Sequence, residues 1–173
     1  MASLNKNMEK IMTSTEVKEK LRLLIEREGS EEIVELELDE GTDMLDAVRR
    51  RLALGIDVHI FERDRAEPLI SNVEGRRNLH LVVNSHRAIE LVVRYEHEEK
   101  SKRFPPSTTV FAALEWAVGK HGYNLDPTQA AKANLILPGA EEPLPRDRTI
   151  GSFTEPGTAR LVVDLTLKDF TNG

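Results

Sequence analysis

The chain has 173 residues, of which 39% are apolar and 5% aromatic, with a formal net charge of −6 and no cysteine. The negative charge argues against a nucleic-acid or anionic-membrane partner, because binding either draws on clustered Lys and Arg, and the missing cysteine excludes disulfides, thiolate metal sites and a thiol nucleophile. No apolar run approaches the ~20 residues of a membrane span, and residues 1–15 lack the basic-then-apolar order of a signal peptide, so the sequence predicts a soluble, cytoplasmic protein.

Residues 1–17 carry neither apolar periodicity nor a breaker pattern and read as a flexible arm. From there Leu21, Leu23 and Ile25 alternate with polar neighbours, Glu28-Gly29-Ser30-Glu31 makes a polar turn, and Ile33 to Leu38 resumes the alternation, which predicts a hairpin. A helix over 14–28 is the competing reading, since the charge-rich Glu16 to Lys20 stretch tolerates one. Thr42 follows as a candidate helix cap, with Leu45, Val48 and Leu52 on one face and Gly55 as the stop. The basic run Arg49-Arg50-Arg51 reads as a solvated helix face. Ile56, Val58 and Ile60 then alternate as a strand, a polar loop holds Pro68 and Gly75, and Leu79, Leu81 and Val83 form the last strand.

After the short linker Asn84-Ser85-His86 the same order returns. Ile89 to Tyr95 is a strand, Glu96 to Glu99 a turn, and Lys100 to Phe104 the return strand, closed by Pro105-Pro106. Thr108 stands before a helix whose inner face is Phe111, Leu114 and Val118, and Gly122 ends it. An insertion over Tyr123 to Lys132 has no counterpart in the first copy, and Trp116 is expected to rest on it. Leu135 and Leu137 mark the third strand, and Leu161, Val163, Leu165 and Leu167 the last.

Strand, strand, helix, strand, strand, given twice, predicts an α+β protein of two tandem β-grasp domains, over 18–84 and 87–168, followed by a tail over 169–173. The five histidines show no paired ligand spacing, so no metal site is expected, and His59 and His80 read as exposed strand residues. The acidic pairs Glu31-Glu32, Glu98-Glu99 and Glu141-Glu142 fall in turns, where solvated charge belongs. With no nucleophile beside a base and no phosphate-binding glycine loop, neither an enzyme nor a bound cofactor is expected.

Glu32 to Asp43, Asn134 to Gly139, Asp147 to Ile150 and Leu161 to Val163 resemble stretches of ubiquitin, and the likeness of pattern extends from Lys18 to Lys168. Two such domains ending in glycine look like the interferon-induced two-domain ubiquitin-like modifier of vertebrates, and more like the bacterial ubiquitin-like modifiers of antiphage conjugation operons. The resemblance implies that Gly173 is adenylated by an activating enzyme, passed as a thioester through a conjugating enzyme and captured by an amine of a target protein, with a deconjugating protease to reverse the bond. It implies that Asp169, Phe170, Thr171 and Asn172 are read by the activating enzyme, and that Ile136 and Val162 form a protein-binding patch. Glu98 and Glu99 stand where ubiquitin has an apolar member of that patch. The tail departs from ubiquitin in having Asn172 where a glycine usually precedes the last residue, which points to a dedicated activating enzyme; glycine, without Cβ, suits the terminal acyl position best. The competing readings are a β-grasp adaptor that is never conjugated and, behind it, a sulfur carrier.

Overall fold

The computed structural model describes residues 18–170. Its first half contains β1 (Leu21–Arg27), β2 (Val34–Leu38), α1 (Met44–Arg51), β3 (His59–Glu62) and β4 (Asn78–Asn84). The second contains β5 (Ile89–Tyr95), β6 (Glu98–Phe104), α2 (Val110–Val118), α3 (Pro127–Lys132), β7 (Asn134–Ile136), a 3-10 turn over Ile150–Phe153 and β8 (Arg160–Thr166). Each half forms one four-stranded mixed sheet, ordered β2-β1-β4-β3 and β6-β5-β8-β7. The first strand of each hairpin pairs in parallel with the last strand of its half, at Leu23↔Leu79 and Leu91↔Leu161. This is the two-fold α+β, β-grasp architecture expected from the repeat. The helix 14–28 alternative fails because β1 occupies the centre of its sheet, with partners on both sides.

The inner faces carry the predicted alternation: Leu23, Ile25, Leu79, Leu81 and Val83 build the first core, and Ile89, Leu91, Val93, Leu135, Leu161, Val163 and Leu165 the second. The helix caps fall one residue later than predicted, and the inward faces agree in part: Val48, Leu52 and Leu114 are buried as expected, whereas Leu45 and Val118 are half-buried and Phe111 is exposed. In α1 the cap is Asp43, not Thr42, its carboxylate accepting from Asp46 N at 3.0 Å, and the deeply buried positions are Met44, Val48 and Leu52. In α2 the cap is Thr109, not Thr108, and the inward face is Val110, Ala113, Leu114 and Ala117; Phe111 is 47% exposed. The reason is shared: an N-cap must hold an extended backbone while its side chain reaches the third residue on, and both the 42–43 and 108–109 pairs offer a candidate acceptor.

Other boundaries shift for local reasons. Ala53, at φ 51°, reverses the chain after α1 before Gly55 is reached, and Ile56 is a 93% exposed loop residue outside β3. The turn of the second hairpin is only Glu96-His97, with Glu96 at φ 56°, so Glu98 and Glu99 belong to β6. Helix α2 ends at its C-cap Gly119, ahead of Gly122. Trp116 packs edge-to-face on Phe104, their rings 5.6 Å apart, while Tyr123 of the insertion meets Tyr95 at 5.2 Å. The insertion itself forms α3, held by a capping box between Asp126 and Gln129. The proposed flexible arm over 1–17 lies outside the described residues.

Candidate functional site

Two surfaces organise the molecule: the seam between its halves, and the outer face of the second sheet with the tail that leaves it. At the seam, Glu26 of β1, Val82 of β4 and Phe61 of β3 stand side by side in register on the outer face of the first sheet, and all three are fully buried. None belongs to the first core. The segment Arg148 to Thr154 packs on β1 and β4 there. Arg148 Nε donates to Glu26 Oε1 at 2.5 Å, Thr149 N donates to the same oxygen at 3.1 Å, and His80 Nε2 lies 2.7 Å from Glu26 Oε2. A carboxylate only accepts, so His80 carries its proton on Nε2. Burial by itself would raise the Glu26 pKa, but the bonds from His80, Arg148 and Thr149 outweigh it and hold the carboxyl below its ordinary value.

Further bonds tie the halves together. Arg148 Nη1 donates to Glu31 O at 2.8 Å, Asn84 Nδ2 to Gly151 O at 3.1 Å and Thr154 Oγ1 at 3.2 Å, and Asp64 N to Ser107 O at 3.1 Å. Gly29, at φ +70°, presses its α-carbon on Pro156; a Cβ there would come within 2.6 Å of the proline ring. The first half thus cannot use the Glu26 end of its outer face for a partner. What remains open is a charged hollow of about 540 Å³ beside Leu24, walled by the ion pairs Arg22–Glu35 and Arg76–Glu62.

The second sheet's outer face is free of that cover. Ile136 and Val162 both point away from α2 and are half-buried, while their neighbours Leu135 and Val163 are in the core. Val162 lies opposite Val92, and Ile136 opposite Asp164, whose carboxylate accepts from Arg94 Nε at 2.7 Å. The two apolar side chains are therefore diagonal neighbours with an ion pair beside them, and Glu99 and Arg94 continue the polar row across the sheet. Asp169 is exposed, and Phe170 is half-buried with Lys168 Nζ 5.4 Å from its ring centre. Thr171, Asn172 and Gly173 lie outside the described residues.

Because β8 runs parallel to β5, its C-terminal end emerges beside Tyr95, at the pole opposite the seam where Ile89 and Arg160 begin their strands. The tail therefore starts at the end of the second half farthest from the first.

The seam was the part missed in the sequence. His80 is no exposed strand residue: its side chain is only 16% exposed and is spent on Glu26. Signals existed in Ile60-Phe61 and Leu81-Val82-Val83, where apolar runs break the period of two and mark strands buried on both faces. Glu26 and Arg148, 122 residues apart, gave none.

No helix among the described residues is long and apolar enough to cross a membrane. No curated protein matches the chain. Residues 90–168 match the family model described as BilA ubiquitin-like domain 2, a span that begins in β5 and ends just beyond β8. The second unit is thus similar in sequence to the second ubiquitin-like domain of BilA, in keeping with its β-grasp fold.

Proposed function

We propose that the protein is a ubiquitin-like modifier of bacterial antiphage defence, activated at Gly173 by an ATP-dependent enzyme and transferred through enzyme thioesters to target proteins. The observation that carries the reading is the path of β8: the central strand of a ubiquitin-like domain runs directly into Lys168 to Gly173 at the pole away from the first half. An enzyme channel can take up such a tail without touching the seam. Asp169 and Phe170 are the side chains it reads first, followed by Thr171 and Asn172, and Ile136 and Val162 give conjugating enzyme, protease or target an apolar foothold on the adjoining face.

The test is tryptic mass spectrometry of cells making the protein with its neighbouring genes. Cleavage after Lys168 leaves the five residues Asp169 to Gly173 on each acceptor lysine, and their detection establishes conjugation. Deleting Gly173 is expected to abolish every such adduct. Unchanged cellular function in the deletion variant, with no adduct in the parent, supports the adaptor reading instead, in which partners dock on the sheet face and no bond is formed.

A further inference from the structure

The lateral edges of the two sheets are not treated alike. The edge of β3 is covered, with Leu69 N donating to Ile60 O at 2.7 Å, and so is that of β7, with Leu144 N donating to Leu135 O at 2.8 Å. Edges β2 and β6 have no such cover among the described residues. Which of their backbone groups face outward follows from the inner strands. Arg22 N donates to Arg77 O, so Arg22, Leu24 and Glu26 bond toward β4, and Leu21, Leu23 and Ile25 toward β2. That leaves Glu35 and Glu37 with free outward amides and carbonyls. By the same reasoning, Glu90 N donating to Ala159 O leaves Glu99, Ser101 and Arg103 free on β6.

The charges on the two open edges differ. Residues 31–40 hold Glu31, Glu32, Glu35, Glu37, Asp39 and Glu40 with no base, whereas β6 begins with Glu98 and Glu99 but carries Lys100, Lys102 and Arg103 over the rest of its length. Charge on an open edge guards it against its own kind: β2 repels β2, and two β6 edges paired about Ser101 set Lys100 against Lys102, offset only by Glu99 against Arg103. It does not guard one against the other.

We propose that the partner of each open edge is a second copy of this chain, with β2 of one molecule pairing antiparallel with β6 of the next. The register that joins the free groups sets Glu37 opposite Ser101 and Glu35 opposite Arg103. It also brings Val34 beside Phe104, and Leu36 beside the alkyl stem of Lys102, on the inner side. Two different patches meet in this contact, so it propagates head to tail into short chains or a ring, and a symmetric dimer is not its product. The tail leaves from the strand ends, not from either edge, and stays accessible in the assembly.

The chain has no cysteine, so single cysteines report the contact. Full-length Glu37→Cys and Ser101→Cys are mixed under mild oxidation; a hydrogen-bonded antiparallel pair sets their α-carbons about 5.5 Å apart, within disulfide span. The mixed disulfide is expected to form about fivefold faster than either homodisulfide, the advantage shrinking as salt rises. Adding Arg103→Glu to the Ser101→Cys chain is expected to remove the advantage, and Glu35→Arg in the other chain to restore it. Equal rates for all three disulfides, or a mixed rate indifferent to the charge swap, overturn the proposal. Both cysteine positions and Arg103 are exposed, so the variants retain the fold.

Discussion

Glu26 is the residue on which most converges. It is fully buried, it accepts bonds from Arg148 and Thr149 of the other half, and His80 completes its shell. Replacing it with alanine leaves a poorly solvated guanidinium without its counter-charge, and a loss of about 3 kcal/mol in urea unfolding of the full chain is expected. Glu26→Gln keeps the shape but not the charge, and its deficit should depend on pH. The folded pKa of Glu26 lies below its ordinary 4.5, so its contribution is complete above that value and is lost as pH falls through the lowered folded value. The stability gap between parent and Glu26→Gln is therefore expected to be widest near neutrality, to narrow as pH falls below 4.5 and to close once pH has passed the lowered folded pKa; acid titration of both, followed by circular dichroism, checks it. Gly29 is held by a second constraint: alanine there meets both a left-handed backbone and the Pro156 ring, and a destabilisation of more than about 1 kcal/mol is expected on thermal unfolding.

For the elements, the helix phases give a direct comparison. Leu114 is in the core and Phe111 is on the surface, so Leu114→Ala is expected to cost about 2–5 kcal/mol in denaturant unfolding and Phe111→Ser within about 0.5 kcal/mol of nothing. Asp43→Ala, which removes the cap of α1, is expected to cost about 1 kcal/mol. Asn72 Oδ1 also accepts from Met44 N at 3.0 Å, and that shared role keeps the penalty from rising further. The hairpins and the closing strands were legible in the sequence because apolar side chains recur at every second position along their inner faces. The helix starts were legible only to within a residue, since adjacent polar side chains compete to cap. The alternation predicts β3 too early because Ile56 and Val58 extend it into a loop, where periodicity has no partner strand to satisfy.

Across the whole molecule, the seam makes the two halves one body. Nitrogen-15 relaxation of the full chain is expected to return a single correlation time for both halves, and the double variant Glu26→Ala, Arg148→Ala to return two shorter ones. On the opposite face, Ile136→Arg or Val162→Arg is expected to change stability by no more than about 0.5 kcal/mol, because both side chains are outside the core. A loss of adducts in such a variant, with its fold intact, would identify that face as the one read by the conjugation machinery.

Repetition of a pattern along the chain was enough to give two α+β units and the succession of their elements, because local alternation and capping are written in neighbouring residues. The partnership of Glu26 with Arg148, the burial of Phe61 and Val82, and the polarity that sends the tail away from the seam were not. Each depends on groups far apart in the chain meeting only after both sheets have formed, and a charged side chain at an outward strand position reads as solvated until another surface removes its water. The differing charges of β2 and β6 stand in the sequence, but only the hydrogen-bond directions of the folded sheets show that both edges are open.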